Sequence, residues 1–599
     1  MWHKFKKTAQ VCVILMALCT LCPAQSGARK SPLCTRDNAL EMIKAQVDVA
    51  KSLSEAYRRI PVLIRAADLL WPHQQERART IFTDAFDLAT EHEKEVDEKG
   101  PRTLVLRMQY PDQRHVVIRA IAKRDARWAK EITRQMLSVA DASPSRDSFS
   151  DLLMAERLLD SASKLISTDI NAAVDLARAS FRYPASAGLT RFLYALAQVN
   201  QRAADDLYYL ALGTYATKPM REFLYLQAYP FLLPASLNTP FFAYYQVPLN
   251  YVTTDITLNL RRGFVNLIVQ RAQRALEEPL RDGDAYRDQS GIVTPPSVHL
   301  LRSLMELEPH IKGPLLELLP AVTQARERIL VSLSPERQRL LLQPGREIST
   351  APVRSFDEEI ESALKTPDVN VRDDLLATAI LSDQSNSQRL EKLIELVDKI
   401  SYSDVRAPLL DTLYFRRVMS SIRVREYENG GRLASKVEGH EQRAYLRIQI
   451  AKAYLQSETQ IYATEFLDQA IADARKAGST IFAARTLLTA SNLYAEIDLG
   501  KAISILTEAI NVVNRLESPD FVRDDQSLVR RVPRPGIGRG HYMFHDYMPG
   551  LHPERALGEM AKRDFDTALS QTSALTDKLQ RSLSILALAD VCLQQTSRR

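Results

Sequence analysis

His541, His545, Asp546 and His552 form the only gathering of metal-type ligands along the chain. His541 and His545 are four residues apart, which would put both imidazoles on one face if the segment were helical. Gly536, Gly538, Gly540 and Pro549 oppose a helix there, so a loop draped over the surface is the preferred reading, ahead of metal ligation. The same segment carries Arg530, Arg531, Arg534 and Arg539, a basic set suited to an anionic or peptide partner. A second group is aromatic. Between Lys218 and Asn259, Tyr244 and Tyr245 lie in a run of rings interrupted by Pro219, Pro230, Pro234, Pro240 and Pro248. Such a run is either an exposed binding surface or a brace packed into the scaffold, and the brace is preferred.

Catalytic patterns are missing. No GxSxG elbow, phosphate-cradling P-loop or HExxH occurs, and CxxC is absent beyond the first 28 residues. No cofactor is expected. The enzyme alternative is a secreted, all-helical carbohydrate-active protein of the α/α-toroid type. Its sites stack sugars on aromatic rings, and Trp71 and Trp128 are the only tryptophans beyond the leader.

Residues 1–28 have the pattern of a secretory signal: Lys4, Lys6 and Lys7, then an apolar run from Val11 to Cys22, then small residues. That run is too short to span a bilayer, and no later stretch is long and apolar enough. The expected product is exported, periplasmic or extracellular, with no integral membrane segment. The formal charge of +6 falls to +3 without the leader, so no nucleic-acid partner is expected. Cys34 and Cys592 are the only cysteines beyond the leader. They stand near opposite ends of the chain, and two unpaired thiols are expected, because bridging requires Cα atoms within about 7 Å.

The elements that position these residues are announced by a repeat. Tyr454 is followed after nine residues by Ala463, then by Phe466, Leu467, Ala470 and Ile471. Leu493 is followed by Ala502, Ile505, Leu506, Ala509 and Ile510, 39 residues later. Leu69 opens a third copy (Ala78, Ile81, Phe82, Ala85, Phe86), and Leu165 a fourth, one residue shorter (Ala173, Leu176, Ala177, Phe181). These offsets mark one face of a helix. The alanines let a neighbouring helix approach, and the large residues fill the space beside it. A second phrase recurs: Ile400, Val437 and Leu575 each precede by six residues an Arg that opens the next helix, namely Arg406, Arg443 and Arg581.

Each copy also has Ala three residues before its first large residue, at Ala66, Ala162, Ala451 and Ala490. This pattern resembles the tetratricopeptide repeat, a helix–turn–helix unit. The resemblance implies an all-α fold of stacked helical hairpins, an α-solenoid of TPR/HEAT-like superhelical type. The expected organisation is a helical-hairpin region over 29–345, with a Pro/aromatic insertion at 218–259, and a helical-repeat region over 346–599, with an Arg/Gly/His-containing loop at 517–553. Non-catalytic binding or scaffolding of a protein or peptide is the expected role, on fold analogy.

Overall fold

Periodic alanines and leucines fold into paired helices. The computed structural model describes residues 31–98, 112–141, 148–167, 169–231, 258–277, 286–287, 293–294, 296–333, 356–382, 389–457, 459–517, 519–521, 526–534 and 541–597. The leader lies outside them. Short polar side chains start many of the helices. Thr35 accepts from the Asn38 amide at 3.2 Å to open Arg36–Lys51. Asp169, Asn200, Thr480, Asp498 and Asp564 cap five more helices in the same way, each satisfying an amide that has no partner within the helix.

All four copies of the repeat are helical. Three are packed pairs, Ser148–Leu165 with Ile170–Ala179, His440–Gln456 with Gln460–Ala477, and Ile481–Tyr494 with Leu499–Arg515; the copy opened by Leu69 supplies the helices Ala56–Leu70 and Gln75–Glu98. The alanines of the template, among them Ala78, Ala173, Ala463 and Ala502, are wholly buried, as are Leu467 and Leu506. Ala66, Ala162, Ala451 and Ala490 are buried too. The chain is therefore an all-α stack of helical hairpins of the α-solenoid kind. Arg443, from the second phrase, ties neighbouring elements together. Its Nε donates to both Asp473 carboxylate oxygens at 3.0 Å, and its Nη1 donates to the Val437 carbonyl at 2.6 Å. Pro61 lies inside Ala56–Leu70.

Two compact units form, and they do not follow the linear division expected at residue 345. One contains the described residues from Ser31 to Ile81 together with those from Phe356 onward, and the other the described residues from Phe82 to Leu333. The physical cause is an apolar match between the ends of the chain. Arg36–Lys51 buries Ala39, Ile43, Val47 and Ala50 against Lys578–Ser597, which buries Leu586, Ala589 and Cys592. Ser31 Oγ donates to Asp566 at 2.6 Å, Arg65 donates to Asp590 at 2.6 Å, and Arg58 pairs with Asp577. Cys34 and Cys592, expected to stay apart, form a disulfide with Cα atoms 5.1 Å apart. The expectation failed because distance along the sequence says nothing about where the last helix packs.

In the second unit, hairpins continue through Gln113–Ala122, Ala126–Asp141, Ala187–Val199 and Gln201–Tyr215. The described part of the Pro/aromatic insertion, Met220–Phe231, is short helical turns with Phe223, Tyr229 and Phe231 buried. Phe223 stacks on Phe264 at 5.1 Å, and the Tyr208 hydroxyl donates to the Leu226 carbonyl at 3.1 Å. This stretch is brace rather than surface. Further on, β1 (Tyr286–Arg287) pairs antiparallel with β2 (Val293–Thr294). No helix among the described residues is long and apolar enough to cross a membrane.

Candidate partner-binding site

The segment expected to drape over the surface folds instead into a β-hairpin seated on the helices of the first unit. Its strands are β3, Ser527–Pro533 (SLVRRVP), and β4, His541–Tyr547 (HYMFHDY), paired antiparallel from Ser527 opposite Tyr547 to Pro533 opposite His541. Both strands contain β-branched or aromatic residues, which favour extended backbone. Pro533 sits at a strand end, where its missing N–H costs least.

The period-2 alternation of a strand sorts β4 into two faces. Tyr542 and Asp546 are buried, at 7% and 4% exposure, while His541 and Tyr547 are exposed. Tyr542 enters a cluster with Leu376, Ile380, Leu396 and Leu409. Its hydroxyl donates to Asp374 Oδ1 at 2.5 Å. Arg534 Nε donates to the same oxygen at 2.6 Å, its terminal nitrogen engages Oδ2, and its guanidinium lies 5.4 Å from the Tyr542 ring. Burial raises the cost of charging Asp374, but the bonds from Arg534 and Tyr542 outweigh it and hold the carboxyl below its usual range. Burial and the Asp374 carboxylate both push the Tyr542 hydroxyl up, so it remains a donor. At the other end, Gln442 Nε2 donates to Asp546 at 3.4 Å, and Met548 and Leu528 join Phe415, Tyr445 and Ile450 in a second cluster.

Beside the exit of β4 lies a small cleft, lined by Glu441, Tyr445, Phe482, Arg485, Thr489 and Met548 among others. Arg485 is 2% exposed, with its guanidinium 5.8 Å from the rings of Phe482 and of Phe521. Gly550 is required here, because a Cβ would sit 2.8 Å from the Arg485 Cβ.

The candidate residues are dispersed. Arg534 is not available to a partner, because Asp374 holds it. Arg530 and Arg531 lie in β3, opposite Phe544 and Met543. Arg539, Tyr244 and Tyr245 lie outside the described residues. His541 and His545 are four residues apart on an extended strand, so their Cα atoms are about 13 Å apart and not one helical turn. His552 caps the end of the loop, within 3.2 Å of Glu554 Oε1 and 3.4 Å of Gln526 Nε2. Among the described residues, no three His, Cys, Asp or Glu are grouped to hold a metal ion. Sequence reasoning missed Asp374 and Gln442. Each is one acid or amide among many on helices, and only the docked hairpin distinguishes them.

No family model matches the chain, and no curated protein matches it. A solved structure described as a circular tandem repeat protein with novel repeat topology and enhanced subunit contact surfaces is similar over 94% of this chain and 99% of its own. The identity is 14% and the TM-score 0.13.

Proposed function

We propose that this chain is an exported, tetratricopeptide-like helical-repeat protein that binds a protein or peptide partner through the docked hairpin, as a scaffold and not as an enzyme. One observation carries the reading. The hairpin is fastened by a buried face, through Tyr542, Asp546 and Arg534–Asp374, while Val529 and Tyr547, at 39% and 60% exposure, face outward. A recognition element held on a rigid scaffold loses little entropy on binding. Export is supported by the leader pattern and by the Cys34–Cys592 bond, since disulfides persist in oxidising compartments such as the periplasm or the extracellular space.

The test uses residues 29–599 as bait in an envelope extract, with Tyr547→Ala/Val529→Asp beside the parent. Deleting the hairpin is a poor control, because Tyr542 is core. A stoichiometric partner that the surface variant loses, with its melting unchanged, supports the reading. Equal capture by both removes the hairpin from the contact.

A further inference from the structure

The cleft beside the exit of β4 has an end that carries two cations. Glu441, Tyr445 and Ile448 line the cleft from His440–Gln456. Their spacings of four and three residues define one face of that helix, and Lys452, four residues on, is next along it. The chain leaves the cleft where the Leu551 amide donates to Thr489 Oγ1 at 3.1 Å, and Pro553–Ala561 then begins, with Arg555 in its first turn. His440–Gln456 and Pro553–Ala561 both pack on Ile481–Tyr494, and the Arg555 charge reaches Lys452.

The two cations lack a counter-charge. Lys452 is half-buried and Arg555 exposed. Burial, and then the Arg555 charge, hold the Lys452 ammonium below the usual lysine range. No carboxylate among the described residues acts on that ammonium, and among them Arg555 is in no ion pair. The acids of the neighbouring elements are committed or remote. Glu554 is turned to His552 at 3.2 Å, and Glu496 faces Arg563 at 3.6 Å. Glu441, the cleft's own acid, lies about 16 Å along the helix from Lys452. Arg485, in the same cleft, lies against the rings of Phe482 and Phe521. Lys452 and Arg555 therefore repel each other, one of them partly withdrawn from water, with no acid to offset either. An oxyanion between them relieves both costs, and a half-buried ammonium holds it more strongly than a fully solvated one.

We propose that Lys452 and Arg555 form an anion site at this end of the cleft, which takes one carboxylate or phosphate group. The site does not depend on the hairpin being a partner contact, so either reading can fail without the other.

The test is the melting of residues 29–599 in rising sodium phosphate or sodium acetate, at constant ionic strength set with sodium chloride. A saturable rise in the transition of the first unit is expected, as for any ligand that binds only the folded chain. Response to phosphate alone assigns the site to phosphate groups, and response to acetate assigns it to carboxylates. Lys452→Met should abolish the rise, and should melt no lower than the parent in chloride, because it removes a charge without a counter-charge. Arg555→Gln should weaken the apparent affinity severalfold, while exposed Lys476→Met should respond like the parent. No rise above the chloride baseline, or a rise that survives Lys452→Met, overturns the proposal. A second measurement needs no variant. Acylation of the parent by an amine-reactive reagent, read by peptide mass spectrometry, should slow severalfold at Lys452 in the effective anion and stay constant at Lys476. Unchanged acylation at Lys452 overturns the proposal even if Lys452→Met fails to fold.

Discussion

Opening the bond between Cys34 and Cys592 is the perturbation with the most calculable consequence. The two residues are 558 apart in sequence. Loop-closure entropy for a ring of that length corresponds to about 6 kcal/mol, while disulfides in practice contribute about 2–5 kcal/mol. The upper part of that range is expected here, because the native ends already meet without the bond. Ile43 and Val47 pack on the last helix, and Arg65–Asp590 and Ser31–Asp566 hold the same seam. The covalent link therefore acts mainly by restricting the unfolded chain. The second unit, inserted between the two halves of the first, can stay folded inside the loop. That shortens the effective ring, but the logarithmic dependence changes the estimate by only about 0.6 kcal/mol per halving. Calorimetry of the parent, of the reduced parent and of Cys34→Ser should show the transition of the first unit falling, while that of the second unit holds. Alkylation under native conditions should find no free thiol in the parent. Free thiols, or a reduced protein melting identically to the oxidised one, would refute the reasoning.

Tyr542→Phe should cost about 1–2 kcal/mol in urea unfolding of the first unit, because Asp374 loses a buried donor. Arg534→Ala should cost about 2 kcal/mol, discounted because its side chain is 35% exposed. Full stability in both variants would mean that the hairpin is not latched there. In the second unit, His115 is held down to about 4 by burial, and Glu306 is pushed up to about 7 by burial. The unfolded chain binds the His115 proton more readily, so that term is fully stabilising above about pH 6.5 and fades toward pH 4. The folded chain keeps the Glu306 proton, so that term is present below about pH 4.5 and is lost as pH rises toward 7. Between these limits the two slopes oppose each other, and Glu306→Gln should uncover a rise in stability of about 1 kcal/mol per pH unit; an unchanged profile would remove Glu306 from the balance. Gly550→Ala should lower the melting temperature by forcing Arg485 aside, at about 1–3 kcal/mol; a neutral result would show that the chain at Gly550 does not press on Arg485.

The hairpins were legible because they are local. Tyr454 to Ile471 and Leu493 to Ile510 carry both helices of a unit within some twenty residues, and helical period alone says which side chains face inward. Thr35 caps its helix through an atom three residues away, so its role too can be read from neighbours. The hairpin at 527–547 was within reach of the same logic. Tyr542 and Asp546 alternate with exposed neighbours in strand period, but the flanking glycines and prolines outweighed that short signal. Legibility ends where partners are distant. Nothing near Arg534 points to Asp374, 160 residues earlier, and nothing near Cys34 points to Cys592. Both pairings follow from which apolar helix faces find each other when the stack forms. Burial energy is set by area and shape, and no local spacing encodes it. The sequence by itself determined the helical unit, its small-and-large packing code and several of its caps. The tertiary structure decided that the ends of the chain meet and that a basic loop is latched by its own arginine.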